Sequence, residues 1–535
     1  MTRGRQARVI LGAVACAALA FPVGACTPQR VNATDDGVPN LPSMPTSITI
    51  DMAFDIRTLD PARMYEVSAQ AVLKAMYDTL LTFSDEDTTT PIPSLATEFT
   101  TSDDLMEFTF TLDEHRTFAD GTTVTADDVV FSLKRLQGIG STPAFLLDGI
   151  VIKKIDRNTV KLITSEPCPA LPAILATPSL GIVSRSQVEA NGGVTNSADQ
   201  AEEYLNSVSA GSGPYTLVEY VPDTTVILAK NPFYDGPQSP VYDKVVFRNA
   251  DPATQKAHVE AGQAQVALGL AGEDAASLAE GIELAVVPSA TVVFLFLNGN
   301  PLVSPLTPKP QVIDAVRAAL DYPALVSLAG GGATQAAGLI PSAFPGTLSS
   351  KDATVRNLAL ARQYAEDAGL GDQTITLSYP NDIDPTGLSL DALAQQIQAQ
   401  LAQAGITVDL APAPFETEID AYRGGEEEIG LWYWNPDYLD PATYLIFSPG
   451  RTLGMRAGWT SEGHPPITDL VIKGSTTNDP LTRRHIFETW AQQMNEFSPF
   501  IPLIQPAANI AHHPSVTGIH YNPVWILNVA ALGIQ

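Results

Sequence analysis

From Ser47 onward, apolar residues recur along the chain with two different periods. Ile48-Thr49-Ile50-Asp51-Met52-Ala53-Phe54 buries every second position, as a strand with one covered face does, and Phe108-Thr109-Phe110-Thr111-Leu112 repeats the pattern. Thr159 to Ile163 predicts another strand. Between them, Ser68 to Leu81 carries Val72, Leu73, Met76, Tyr77 and Leu80 at helical spacing. Thr125-Ala126-Asp127-Asp128 reads as the capped start of a helix through Val129 to Leu136, with Asp128 in the place of the usual Glu of a capping box. Later, Val292 to Leu297 is a nearly continuous apolar strand, and Val312 to Leu320 and Val355 to Ala368 are helices, the second stopped at Gly369. Thr374 to Tyr379 predicts a strand. The stripe Leu390, Leu393, Ala394, Ile397, Leu401 and Ala404 predicts a helix stopped by Gly405. The mixture is α and β without regular βαβ alternation, and the Pro-rich stretch Pro301 to Pro310 is a loop within it.

The first residues follow different rules. Arg3, Arg5 and Arg8 precede an apolar run from Val9 to about Phe21, the order of an export signal, and the run is too short to span a bilayer. It ends in Val23-Gly24-Ala25-Cys26, which resembles a bacterial lipobox, so Cys26 is expected to carry lipid; the alternative is an ordinary signal cut nearby. Residues 27–46, rich in Pro, Thr, Asn and Asp, fit a tether. Net charge is −29, and removal of the leader with its three arginines makes it more negative still, which argues against nucleic acid or an anionic lipid surface as partner. Of three cysteines, Cys16 leaves with the leader and Cys26 takes lipid, so Cys168 has no disulfide partner and reads as a small buried residue. A chain of 535 residues exceeds what one core supports, and two or three domains are expected.

Four segments together resemble the extracytoplasmic solute-binding proteins of the dipeptide and oligopeptide transport family, bacterial solute-binding protein family 5. They are Thr58-Leu59-Asp60-Pro61-Ala62 with Tyr77-Asp78-Thr79-Leu80; Pro93-Ser94-Leu95-Ala96 with the long run Phe118 to Arg135; Gly211-Ser212-Gly213-Pro214-Tyr215 with Asn231-Pro232-Phe233-Tyr234; and Trp432 to Pro441. The resemblance implies an α/β, two-lobed periplasmic-binding-protein-like fold with three domains and a ligand cleft between lobes. The expected division is 1–25 leader, 26–46 tether, 47–86 first part of domain I, 87–205 domain II, 206–288 second part of domain I, 289–500 domain III and 501–535 the C-terminal part of domain I. Gly211 and Gly213 are read as a possible hinge, their freedom of backbone angle suiting a crossover. The implied function is capture of a peptide outside the cytoplasmic membrane by a lipid-anchored monomer, and its delivery to the permease and ATPase subunits of an ABC importer. No cofactor, metal or nucleic acid is expected.

The resemblance also implies site residues. A zwitterionic peptide needs a carboxylate for its ammonium, because an unpaired buried charge is costly. In the family's peptide binders an Asp just after an aromatic strand takes that role, and the matching position is Asp437; Asp440, before Pro441, reads as a turn residue. Trp434 and Asn435 match pocket positions, as does Phe415 upstream; Trp432 shares a strand face with Trp434, and Tyr65 is a further cleft candidate. At least one of the two tryptophans is expected in the core. Ser389 to Ala394 holds no Arg where dipeptide binders clamp the ligand carboxylate, which favours peptides longer than a dipeptide. Arg423 beside two glycines reads as a surface residue that could instead meet a longer peptide's terminus.

Other chemistries fare worse. Asp437 and Asp440 could be imagined as a glycoside hydrolase pair, but their loop spacing is tight, and no GxSxG, HExxH or phosphate-cradling glycine motif is present. His512, His513 and His520 form the densest of the histidines without a regular metal-ligand spacing, and read as exposed. Within the implied fold, an oligosaccharide, a nickel complex or haem remains an alternative ligand, and paired tryptophans would suit a sugar.

Overall fold

The computed structural model describes residues 46–462 and 464–535, so the expected leader, Cys26 and nearly all of the tether lie outside the described residues. Three sheets organise the rest. A seven-stranded sheet runs Glu283–Pro288, Ala507–His512, Val266–Ala267, Ser47–Met52, Lys244–Asn249, Thr225–Lys230, Tyr215–Val221. A four-stranded antiparallel sheet runs Ala96–Thr101, Glu107–Leu112, Thr159–Ile163, Val151–Lys154. These two belong to one lobe. The other lobe is built on a six-stranded sheet ordered Thr334–Gln335, Phe500–Gln505, Val292–Leu297, Ile429–Trp434, Thr374–Pro380, Thr407–Ala413.

The apolar patterns explain which strands sit where. Phe108, Phe110 and Leu112 are buried while Thr109 and Thr111 are not, as a strand covered on one face requires. Every residue of Val292–Leu297 is buried because this strand is central and covered on both faces. Val292, Phe294 and Phe296 pack with Trp432 and Trp490 on one side, and Val293, Leu295 and Leu297 pack with Leu393, Ile397 and Leu401 of helix Leu390–Gln403 on the other. The helix after Asp60-Pro61 is Val67–Met76, shorter than its periodicity suggests. Tyr77 turns to extended backbone, and Leu80 and Leu81 enter a different apolar cluster from Val72 and Met76.

The motif residues that suggested the family meet in a buried ionic clamp. Arg135 is fully buried; its Nη1 and Nη2 donate to the two Asp60 carboxylate oxygens at 2.7 and 2.6 Å, and its Nε and Nη2 donate to Asp199 at 2.8 and 2.7 Å. Arg63 donates to Asp199 from the other side, at 3.0 Å. Burial opposes the charge on Asp199, but the hydrogen bonds from Arg135 and Val194 hold its carboxyl below the usual range. At the front of the same helix, Ala126–Ile139, the Asp128 carboxylate accepts from the Thr125 amide at 2.9 Å and hydroxyl at 2.6 Å.

All strands of the six-stranded sheet lie between Val292 and Gln505, so among the described residues the chain joins the lobes twice. Glu283–Pro288 pairs antiparallel with Ala507–His512 in one sheet, and Val292–Leu297 with Phe500–Gln505 in the other. The two crossings are therefore side by side. Ser289 donates to the Pro506 carbonyl from its amide at 3.0 Å and its hydroxyl at 2.7 Å, and Gln505 Nε2 donates to the Ser289 carbonyl at 2.6 Å.

Several expectations change. Along the chain, Leu80 and Leu81 pack in a different apolar cluster from Val72 and Met76, Val188 and Leu205 pack with the latter, and Phe500–Gln505 belongs to the six-stranded sheet up to Pro506. Apolar runs continue through these crossings, so periodicity does not mark them. A Cβ on Gly211 would lie 2.2 Å from the Met76 carbonyl oxygen and one on Gly213 2.5 Å from the Met76 carbonyl carbon, so close approach to the helix end, not an unusual φ, demands glycine.

Removing Arg135 leaves two buried carboxylates without their cation. Arg135→Met is expected to lower stability by about 3–5 kcal/mol. Arg185→Met, which breaks only an exposed pair with Glu189, is expected to cost about 0–1 kcal/mol. Guanidinium unfolding of both variants beside the parent checks the difference.

Candidate ligand site

Strand Ile429–Trp434 sends alternate side chains to opposite faces, so Trp432 and Trp434 share one face and Tyr433 takes the other. The loop that follows is pinned from several directions. Thr291, at the first crossing, donates to Asn435 Oδ1 at 2.6 Å, and the Asp437 amide donates to Thr443 Oγ1 at 3.2 Å. Thr177, from the other lobe, reaches the Asp437 carbonyl at 3.5 Å.

Asp437 is half-buried and faces the first lobe. The Tyr65 hydroxyl, carried on the segment before helix Val67–Met76, donates to Asp437 Oδ1, and Thr443 Oγ1 donates to Oδ2 at 3.4 Å. No Lys, Arg or His among the described residues forms an ion pair with this carboxylate. Burial raises its pKa to about 6, although both hydroxyls favour the charged form. Burial and the Asp437 charge together raise the Tyr65 hydroxyl well above its ordinary value, so it stays a donor. The Tyr65 ring meets Phe145 edge-on at 5.8 Å.

Asp440 is a different kind of carboxylate. Arg483 donates to both its oxygens at 2.6 Å, and its Oδ1 accepts from the Ala442 amide at 2.8 Å to start the turn Pro441–Phe447. A carboxylate held this way is charge-matched by its own protein. Beside it lies a cavity of about 180 Å³, with Thr88, Thr89 and Pro169 on the first lobe and Phe344, Arg483 and Phe487 on the second. Pockets for small ligands occupy roughly 300–1,000 Å³.

The aromatic residues divide. Trp432 is 2 % exposed, its Nε1 donates to both Glu427 oxygens at 3.1 and 2.8 Å, and its ring stacks on Tyr422 with centroids 4.3 Å apart. It therefore supports the site from the core and offers no face to a ligand, contrary to the expectation that it lines the pocket. Phe415 is half-buried and meets Trp432 edge-on at 6.2 Å. Trp434 is half-buried, packs edge-on against Phe447, and its indole Nε1 is buried without a hydrogen-bond partner.

Arg423 is exposed. Cys168 is half-buried, not fully buried, and burial pushes its thiol pKa up. His513 and His520 are exposed, but His512 is buried on strand Ala507–His512. No group of three or more His, Cys, Asp or Glu among the described residues is placed to hold a metal.

Reading the residues in order missed the support beneath Trp432. Glu427 belongs to a Glu426-Glu427-Glu428 run that looks like a solvated face, yet it is 3 % exposed. Its position just ahead of strand Ile429–Trp434 was the available signal, since the side chain enters the core with the strand. Thr177 and Thr443 gave no such signal.

Residues 90–452 match the family described as "Bacterial extracellular solute-binding proteins, family 5 Middle". The chain is 26 % identical over 487 residues to the probable D,D-dipeptide-binding periplasmic protein DdpA of Escherichia coli K12, covering 89 % of this chain and 92 % of that one. It is 26 % identical over 498 residues to the glutathione-binding protein GsiB of the same strain, with the same coverage of each. In structure it is similar to the periplasmic binding protein DppA of Helicobacter pylori, solved with the peptide STSA, with a TM-score of 0.77, 22 % identity and coverage of 92 % of this chain and 99 % of the other.

Burial, with Glu418 beside it, raises Glu427 to about 10, so it is protonated at neutral pH. The folded chain thus holds a proton that the unfolded chain releases above about pH 4.5, and this group's contribution to stability declines as pH rises from there towards 10. Glu427→Gln has no such proton to lose. Melting temperature measured from pH 5 to 9 is expected to fall less steeply in Glu427→Gln than in the parent; parallel profiles would contradict the assignment.

Proposed function

This chain belongs to family 5 of the bacterial extracellular solute-binding proteins, and from that premise we propose that it captures a peptide between its lobes and delivers it to an ABC importer. The observation that carries the peptide reading is Asp437: a half-buried carboxylate, met by two hydroxyls and no cation, on the face that looks across to the other lobe. A ligand ammonium supplies the missing charge. The names of the relatives, a D,D-dipeptide binder and a glutathione binder, support a ligand of this class. The missing Arg near Leu390 favours a peptide longer than a dipeptide.

The lobes part and close about the paired crossings at Ser289 and Pro506. Tyr65 and Thr177 of one lobe already meet the Asp437 loop of the other, so the ligand enters while the lobes are apart and closure restores these contacts around it. Ligand binding favours closure only by contacts stronger in the closed form. The protein performs no chemistry on its ligand in this reading: Asp440, bound by Arg483, cannot serve as the second carboxylate of a hydrolase. With Trp432 buried, the two-ring platform for a sugar is also gone. The Val23-Gly24-Ala25-Cys26 sequence supports export and lipid attachment at Cys26, which holds the protein, as a monomer, at the outer face of the cell membrane. No helix among the described residues is long and apolar enough to cross a membrane.

Calorimetry with tri- to pentapeptides tests this. Asp437→Asn is expected to weaken binding by about 30-fold or more, from the roughly 2–5 kcal/mol that truncating one partner of a buried charge pair costs. Asp440→Asn is expected to lower the melting temperature while leaving affinity near that of the parent. An ammonium prefers the ionised Asp437, so affinity should fall about tenfold per unit as pH drops below about 6, and Asp437→Asn should lose that dependence. Stabilisation by cello- or xylo-oligosaccharides, and by no peptide, would overturn the reading.

A further inference from the structure

Three glycines follow one another in the second lobe, Gly330-Gly331-Gly332, just ahead of the edge strand Thr334–Gln335. Their surroundings differ. A Cβ on Gly330 would lie 2.4 Å from the Gly272 Cα, and one on Gly332 would lie 2.2 Å from Val286 Cγ1 and 2.9 Å from the Ala507 Cβ. One on Gly331 would meet nothing within 4 Å. Gly272, which opens the short helix Gly272–Ala276, belongs to the first lobe, as do Val286 and Ala507 on neighbouring strands of the seven-stranded sheet. The two outer glycines therefore face the other lobe, and the middle one faces open space.

The contact is main chain on main chain from both sides. A Cβ on Gly272 would lie 2.5 Å from the Gly330 Cα and 2.7 Å from the Ala329 carbonyl oxygen, so neither partner has room for a methyl group. Gly272 does not have a positive φ, so space alone excludes a side chain there. A second turn of the second lobe meets the neighbouring residue in the same way. Thr386 and Gly387 both have positive φ, 52° and 78°, a conformation that a β-branched residue resists, and a Cβ on Gly387 would lie 2.6 Å from the Ala271 Cα. The segment they meet is tied to the hinge, because Asn509 Nδ2, on strand Ala507–His512, donates to the Leu270 carbonyl at 3.3 Å. Val286 comes just before the crossing at Ser289, and Ala507 just after the one at Pro506.

Beside a hinge, a small change in separation becomes a larger one at the far edge of the cleft, and packed main chain does not yield to absorb it. In the present arrangement Tyr65 reaches Asp437, and Arg57 of the first lobe donates to Glu416 of the second at 2.6 Å. Both contacts need the lobes as near as they are here. We propose that the contact of Ala271-Gly272 with Gly330 and Gly387 is the stop that sets how far the lobes close, and that one added methyl group there holds the cleft ajar. This rests on the proposed closure of the lobes over a ligand, and it is independent of what the ligand is.

The test reads closure without a ligand. Arg57→Cys and Glu416→Cys together place thiols at two exposed positions, one on each lobe, that a short bis-maleimide joins when the lobes are together, and mass spectrometry quantifies the cross-linked peptide. In that background Gly272→Ala is expected to slow cross-linking about tenfold, as the closed fraction falls. Ala271→Val adds bulk beside Gly387 on a backbone of φ −59° and ψ 152° that valine adopts, and should slow it in the same direction. Gly331→Ala, with open space around it, should leave the rate unchanged. Without the two cysteines, affinity for tri- to pentapeptides by calorimetry should fall in each variant by the factor that its closed fraction falls, while melting temperatures stay near the parent's. Should Gly272→Ala not fold, Ala271→Val decides by the same measure. Cross-linking at the parent's rate in the variants at 271 and 272, or equal slowing in Gly331→Ala, would overturn the stop. Slowed cross-linking in a protein whose parent binds no peptide would overturn the peptide reading and leave the stop standing.

Discussion

A fully buried guanidinium shared between two carboxylates fixes the first lobe. Arg135 reaches Asp60 just before the helix Val67–Met76 and Asp199 after the four-stranded sheet has been completed, so one side chain ties together segments far apart in sequence. Its cost of desolvation is repaid only because every donor used has an anionic acceptor. Asp60 also accepts from the Ala62 amide, which sets the turn from which Tyr65 is presented to the other lobe. The clamp is thus linked to the site through a few residues of backbone.

Against that background Asp437 is the exception. Asp60, Asp51, Asp78 and Asp440 are each held by an Arg, and Glu427 avoids its charge by keeping a proton. Asp437 has hydroxyls alone, and its pKa near 6 leaves it mostly ionised at neutral pH without a compensating cation. A solute-binding protein needs such an imbalance at the face between its lobes, because closure must be favoured by something the protein lacks by itself.

Much of this was legible in the sequence where local periodicity decides the outcome. The capped helix from Thr125, the doubly covered strand Val292–Leu297 and the stripe from Leu390 to Leu401 all follow from spacing alone. The meeting of Tyr65 with Asp437 was not legible from the residues themselves, since it depends on how two lobes face one another; each was named only through resemblance. Trp432 was misjudged because strand alternation gives a face but not what covers it, and Tyr422 with Glu427 covers it. The glycines at 211 and 213 were noticed for the wrong reason, their small size against the helix end mattering more than their torsional freedom.

The central claim is that the Asp437 carboxylate is completed by the ammonium of the ligand. Binding of one peptide with a free amino terminus, compared with the same peptide N-acetylated, addresses that pair without altering the protein. The account predicts that acetylation weakens binding at neutral pH by about 30-fold or more and abolishes the loss of affinity below pH 6. Equal affinity of the free and acetylated peptides across that pH range would contradict it.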